Sequence, residues 1–218
     1  MPIIKSLDKL IKYNNRSIKD LTTTPAAAGG GDTGALVHIK TLTADNSANL
    51  SFVNGTSDVV FDNTYPIYKF EFIDTSIRSD TEKLGFNVSI DTGSNYNVAK
   101  TSSAFRAHHG ESGSPAALAY YGDDDLAQGT GLQPIQHGGN SEADSCISGE
   151  LTIFNPSSTT FVKHFLIKSS NNNSGDRAQV EYMGGYCNTT SAVDAIIFQA
   201  NTGNIDGTIK MYGVGPKQ

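Results

Sequence analysis

The sequence contains no tryptophan and only two cysteines, and none of its apolar stretches approaches the length of a membrane span. Disulfide-stabilised scaffolds are dense in cysteine, and a transmembrane helix needs about 20 apolar residues in a row. Residues 1–10 are interrupted by charges and lack the apolar core of a secretory signal peptide. We therefore expect no disulfide framework, no membrane partner and no export through a secretion pathway.

Charged residues are also scarce, at 17% of the chain, and the formal net charge is -6. Proteins that bind nucleic acid neutralise phosphates with clustered Lys and Arg, whereas most of the basic residues here are dispersed. We expect no nucleic-acid partner. The acidic balance favours solubility instead.

The two cysteines, Cys146 and Cys187, stand far apart in the sequence with no others around them. Two interpretations are open: one disulfide that joins two strands, or two buried free thiols. The lack of a cysteine framework favours the free thiols.

Glycine and neutral polar residues fill much of the chain, as is typical of turn-rich β proteins. Apolar and polar residues alternate in many stretches, for example 84–90, which predicts strands with one buried face. Residues 36–42 and 48–53 look like a hairpin, and 107–143 like a long loop with one short strand near 118–121.

Roughly nine or ten strands and almost no helix must close into two packed sheets, because one open sheet would expose an apolar face and two edges. The expected fold is all-β: a jelly-roll-like antiparallel β-sandwich over residues 35–218, preceded by a short N-terminal helix or arm.

The arm, residues 1–34, begins with apolar residues at helical spacing and ends in a Gly-rich linker at 25–31. A helix this short is not stable alone and needs a surface to lie on. We therefore interpret Ile4, Leu7 and Ile11 as an assembly arm that docks on a neighbouring subunit, each contributing about 1.5 to 3 kcal/mol if fully buried.

Several segments resemble a family of virion structural proteins of tailed phages, especially phages of cyanobacteria and other aquatic bacteria. The resemblance extends over nearly the whole chain, and the family implies a part of the virus particle without specifying which part. The segments that carry it are 15–21, 91–97, 149–164, 185–196 and 203–213.

Catalytic and metal chemistry are not indicated. The histidines His38, His108, His109, His137 and His164 lack the compact spacings of zinc sites, and no Gly-x-Ser-x-Gly elbow is present. We expect no enzymatic activity, no catalytic residue, no metal and no cofactor.

The expected function is therefore that of a non-enzymatic phage structural protein, located in the virion after assembly in the host cytoplasm. It would act as a capsid decoration or cement protein or as a tail accessory protein. Its partners would be copies of itself, in a homo-oligomer such as a trimer, and other capsid or tail proteins.

The alternative is an adhesin, such as a receptor-binding component of a tail fibre, that binds host surface glycans through the long loop. Aromatic and polar side chains there could stack on sugars and hydrogen-bond to them. The candidate glycan or partner residues are His108, Tyr120, Tyr121 and Asp123.

Overall fold

A computed structural model of the chain describes residues 36–139, 141–173 and 175–215. These residues form twelve strands and no helix. The predicted arm and its helix lie outside the described residues. The strands are β1 (Leu36–Ser47), β2 (Leu50–Val53), β3 (Ile67–Ile77), β4 (Leu84–Ser89), β5 (Lys100–Gly110), β6 (Ala116–Tyr120), β7 (Gln133–Pro134), β8 (Ile147–Phe154), β9 (Lys163–Asn173), β10 (Arg177–Cys187), β11 (Ala195–Ala200) and β12 (Ile205–Val214).

The strands form two antiparallel sheets. The wide sheet has the order β1-β12-β3-β8-β9-β10-β5-β6, and the narrow sheet has the order β2-β11-β4-β7. Without β5, β6, β9 and β10, the order is that of an eight-stranded jelly roll: first, eighth, third and sixth strands in one sheet, and second, seventh, fourth and fifth in the other. The predicted jelly-roll-like sandwich is confirmed, with four added strands that extend the wide sheet beyond β8.

Strand β3 illustrates why these residues pair as strands. Tyr68, Phe70 and Phe72 are buried, whereas Lys69 and Glu71 alternate with them on the opposite face. Because side chains of a strand point alternately to its two faces, this pattern gives the sheet one apolar and one polar side.

The core between the two sheets is aromatic and centres on Phe198 of β11. Its ring centroid lies 5.4 Å from those of Phe70 and Phe72 in the wide sheet. Within the narrow sheet it lies 6.2 Å from Phe52 and 6.5 Å from Phe86. The pairs with Phe72 and Phe52 meet edge to face, the arrangement that ring quadrupoles favour, and the pairs with Phe70 and Phe86 are tilted.

Strand β4 is buried on both faces, because the segment after β6 covers the side that faces away from the core. The Asn87 side-chain amide donates to the carbonyl oxygens of Thr130, at 2.8 Å, and Gly131, at 3.3 Å. At Gly85, a Cβ atom would lie 2.8 Å from the carbonyl oxygen of Gln133, so this close approach requires glycine.

Two lysines are fully buried on either side of Cys187. Lys100 Nζ donates to Asn87 Oδ1 at 2.6 Å, and Lys163 Nζ donates to the carbonyl of Phe161 at 2.9 Å. Burial lowers the pKa of Lys100 to about 8 and raises the pKa of Cys187 to about 11. Cys146 and Cys187 are both free thiols, as the favoured interpretation expects, but only Cys187 is buried and Cys146 is half-buried.

The predicted hairpin of 36–42 and 48–53 is wrong. Strand β1 pairs with β12 in the wide sheet, and β2 pairs with β11 in the narrow sheet. An alternating pattern defines which side chains share a face, but it does not specify the partner strand.

The predicted long loop at 107–143 is wrong in part. Strand β5 continues to Gly110, and β6 confirms the short strand expected near 118–121. The end of β5 lacks the alternation of apolar and polar residues that predicts a strand. His108 lies on its inner side and packs among polar groups instead of apolar ones.

Candidate functional site: an exposed sheet face and a buried polar cluster

Five large apolar or aromatic side chains share the outer face of the added strands. Cross-strand register places Phe105 opposite both Tyr120 and Tyr182, and Leu118 and Leu166 lie on the same face nearby. We call these residues the outer patch. Their exposed fractions are 48% for Phe105, 71% for Leu118, 61% for Tyr120, 56% for Leu166 and 38% for Tyr182.

A groove of about 470 Å³ lies at one side of this patch and is lined by three of its residues, Phe105, Leu166 and Tyr182. Phe105 and Tyr182 form one wall, where their rings stack with centroids 5.3 Å apart and planes 13° apart. Leu166 lies on the other side, and Gly184 lies between them. A Cβ atom at Gly184 would approach Leu166 to 3.2 Å, so the glycine helps to keep the groove open.

Charged side chains border the groove. Lys69 Nζ lies 2.7 Å from a carboxylate oxygen of Glu150 and 3.5 Å from one of Glu71. The hydrogen bond to Glu150 raises the pKa of Lys69. Lys168 Nζ lies 5.9 Å from the ring centroid of Tyr182. The rim therefore presents both signs of charge around an apolar floor.

The four candidate loop residues do not form one surface. Tyr120 belongs to the outer patch, where its hydroxyl hydrogen-bonds to Asp125. Tyr121, the next residue, lies on the inner side of the wide sheet against Arg106. His108 is half-buried on β5, and Asp123 is exposed, with its carbonyl accepting a hydrogen bond from Lys83 Nζ at 2.6 Å.

On the inner side of the added strands lies a buried polar cluster, formed by Lys83, Arg106, Tyr121, Asp124, His137, Gln179 and Glu181. The side chain of Asp124 is 1% exposed, with Lys83 Nζ at 2.7 Å and His137 Nδ1 at 2.9 Å from its oxygens. Burial pushes the pKa of Asp124 upward, but hydrogen bonds with His137 and Lys83 outweigh burial and hold this pKa below its usual value.

Glu181 is the second buried carboxyl of this cluster. Its Oε1 accepts hydrogen bonds from the backbone N–H of His137, at 2.7 Å, and from Gln179 Nε2, at 3.3 Å. Burial raises the pKa of Glu181 to about 7, although the His137 hydrogen bond and the charge of Arg106 act in the opposite direction.

Arg106 connects Tyr121 to Gln179 within the buried polar cluster. Its Nη1 donates to Gln179 Oε1 at 3.0 Å, its Nη2 donates to the Tyr121 hydroxyl, and its Cζ lies 3.4 Å from the centroid of the Tyr121 ring. Together with Asp124 and Glu181, these contacts fasten the segment after β6 to β5 and β10.

The described interactions of the cluster are hydrogen bonds, ion pairs and ring contacts. No hydroxyl or thiol among the described residues hydrogen-bonds to the ring of His137, which would be needed for an activated nucleophile. Residues 36–139, 141–173 and 175–215 contain no group of three or more His, Cys, Asp and Glu residues that could hold a metal ion. The same ranges contain no helix long and apolar enough to cross a bilayer.

Sequence reasoning missed most of the outer patch and nearly all of the buried polar cluster. A signal for the patch was present: Leu166 and Tyr182 are out of phase with the buried positions of β9 and β10. No comparable signal marked Glu181 or Arg106, because a charged residue is ordinarily exposed. The assembly-arm residues Ile4, Leu7 and Ile11 lie outside the described residues and stay predictions.

No family model matches the chain, and no curated protein matches it. Among solved structures, one match is a structure of the Gt strain of infectious bursal disease virus, with 13% sequence identity and a TM-score of 0.15. The match covers 85% of this chain and 43% of that chain, so the present chain spans less than half the length of the matched one. So low a TM-score does not indicate a shared fold.

Proposed function

We propose that the protein is a non-enzymatic structural component of a bacteriophage particle, a capsid decoration or cement protein or a tail accessory protein. It acts through contacts with copies of itself and with other virion proteins. The observation that carries this proposal is the outer patch, an apolar surface on a sheet face that would otherwise be polar.

The size of the patch favours a protein interface. If a fully exposed side chain of this size presents roughly 200 Å², the five patch residues present roughly 550 Å² of accessible surface. The largest apolar patch of a monomer is about 300 to 600 Å² and is often functional. A stable interface buries about 800 Å² per partner, so the patch alone would supply roughly two thirds of one side of such an interface.

The charges of the rim favour contact between identical copies. Lys168 and Glu150 occupy opposite positions on neighbouring strands, so one patch carries both signs of charge. When identical surfaces meet about a symmetry axis, each lysine can face the partner's glutamate. We therefore place a two-fold homo-oligomer contact at the outer patch. Such a contact builds a dimer or a larger assembly that contains two-fold axes, whereas a trimer would join the patch to a different surface of the neighbouring copy.

Sedimentation velocity of the purified full chain tests this assignment. We expect the natural protein to be an oligomer and the Phe105→Asp, Leu166→Asp double variant to be a monomer, because it places two charges in the groove. Phe161→Asp is the matched control, since Phe161 is 69% exposed and lies outside the patch. A natural protein that is monomeric at all concentrations, or a double variant that remains oligomeric, would contradict the assignment.

A second candidate function, glycan binding at the host surface, is favoured by one observation. The stacked rings of Phe105 and Tyr182 line the groove beside Glu150 and Lys168, a combination of aromatic and polar groups that suits sugars. Host-cell binding by the natural protein that the same double variant loses would support this function.

A further inference from the structure

Three nitrogen-bearing side chains gather on the inner face of the wide sheet, near the end of β5 and the start of β10. Arg106 and His108 are two residues apart on β5 and therefore share a face. Arg177 of β10 pairs with Gly110, the next position on that face, so it lies diagonally beside His108. The groups belong to adjacent strands and to one surface.

Each of these side chains has a buried nitrogen without a hydrogen-bond partner among the described residues: Arg106 Nε, His108 Nδ1 and Arg177 Nε. Buried polar atoms are nearly always hydrogen-bonded, so three such atoms on one surface indicate that a partner is missing. Because arginine nitrogens only donate, the missing partner must accept hydrogen bonds.

The charge balance indicates that this partner is an anion. The ion pairs of the described part of the chain involve Lys69, Arg78, Lys83 and His137, and neither Arg106 nor Arg177 is among them. Glu181 lies opposite Arg106, and the two charges interact. Its Oε1 accepts hydrogen bonds from His137 and Gln179, and its Oε2 is buried without a hydrogen-bond partner among the described residues. Glu181 can therefore compensate Arg106 in part, but no carboxylate of the described residues lies within ion-pair distance of Arg177.

The electrostatics of His108 agree with a positively charged site. Burial, followed by the charges of Arg106 and Arg177, lowers the pKa of the His108 imidazole. Both guanidinium groups are therefore close enough to act on the ring.

We propose that Arg106, His108 and Arg177 form a binding site for an oxyanion, the phosphate or carboxylate group of a partner molecule. Guanidinium groups match the geometry of both anions. Arg106, 6% exposed and fixed by Gln179 and Tyr121, forms the inner end, while the half-buried His108 and Arg177 leave access from solvent. The site lies on the opposite face of the sheet from the outer patch, and its role is separate from the proposed assembly function.

Calorimetric titration of the full chain with inorganic phosphate and, separately, with glucuronate tests the proposal at constant ionic strength. At least one probe should bind, and Arg177→Gln should weaken its binding roughly tenfold through loss of a charge-assisted hydrogen bond. Lys40→Gln, the same charge change on β1 at the far edge of the wide sheet, is the matched control and should bind normally. The bound probe should also shift the imidazole NMR resonances of His108.

The two probes distinguish the sources of the anion. Binding of phosphate alone assigns a phosphorylated partner, binding of glucuronate alone assigns an acidic sugar, and binding of both assigns oxyanions in general. Absence of binding by either probe, equal binding by Arg177→Gln, or unshifted His108 resonances would overturn the proposal. If Arg177→Gln fails to fold, His108→Gln gives the same comparison.

Discussion

Single residues set the added part of the wide sheet apart from the jelly-roll core. Five charged side chains are buried there: Lys100 and Arg106 on β5, Lys163 on β9, Glu181 on β10 and Asp124 after β6. Burial of a charge is costly unless hydrogen bonds or an opposite charge compensate. Each of the five has such partners, although Arg106 and Glu181 each retain one unpaired buried atom.

Glu181 should make stability depend on pH. Its pKa is raised from 4.5 to about 7 in the folded chain, so between these values the folded state binds more protons than the unfolded state. This contribution is fully present below pH 4.5 and is lost as the pH rises to 7, on the order of 3 kcal/mol in total. Glu181→Gln, which cannot ionise, should remove this loss when unfolding by urea is measured from pH 4.5 to 8.

Glu111→Gln is the matched control, because Glu111 is exposed and should leave the pH dependence unchanged. An identical fall in stability for the natural protein and for Glu181→Gln would mean that Glu181 does not titrate in this range.

These buried charges mark the limit of prediction from the sequence. A charged residue in an alternating stretch is read as exposed, since a single strand carries no information about what covers its faces. Glu181 and Met183 are two residues apart and share the inner face of β10. Only the fold shows that residues 121–139 cover Glu181 on that face. The alternation of apolar residues in β9 and β10 can be recognised in the sequence. Leu166 and Tyr182 depart from it, because they lie at the exposed positions between the buried ones.

At the scale of elements, the sequence predicted the strands better than their partners. Alternation located β4, β8, β9 and β10, because each has at least one face buried against apolar or covered polar groups. The partner of β1 is β12, at the other end of the described chain, and no local pattern encodes so distant a pairing. Residues 36–53 were therefore misinterpreted as a hairpin.

Strand β11 contributes Phe198 to the packing between the two sheets. Phe198→Ala should lower the free energy of unfolding by about 3 to 5 kcal/mol, because the lost ring contacts aromatic side chains of both sheets and leaves a cavity. Urea denaturation measures this change. Phe161→Ala, at a residue that is 69% exposed and outside the outer patch, should change stability by no more than about 0.5 kcal/mol. Equal effects of the two substitutions would show that β11 does not join the sheets.

At the scale of the described molecule, the added strands have two unlike faces. The outer face carries the apolar outer patch, and the inner face carries the buried polar cluster and the proposed oxyanion site. An interface at the outer patch therefore leaves the inner face free. Assembly and anion binding can then proceed without competing for one surface.

The central claim is that the protein builds a virus particle through subunit contacts. Cryo-electron microscopy of intact particles of a phage whose genome encodes this chain tests this claim most directly. The account predicts density for the jelly-roll body at repeated, symmetry-related positions on the head or tail, with the outer patch of each copy buried against a neighbouring subunit. Particles that lack the chain, or that carry it with the outer patch facing solvent, would contradict the account.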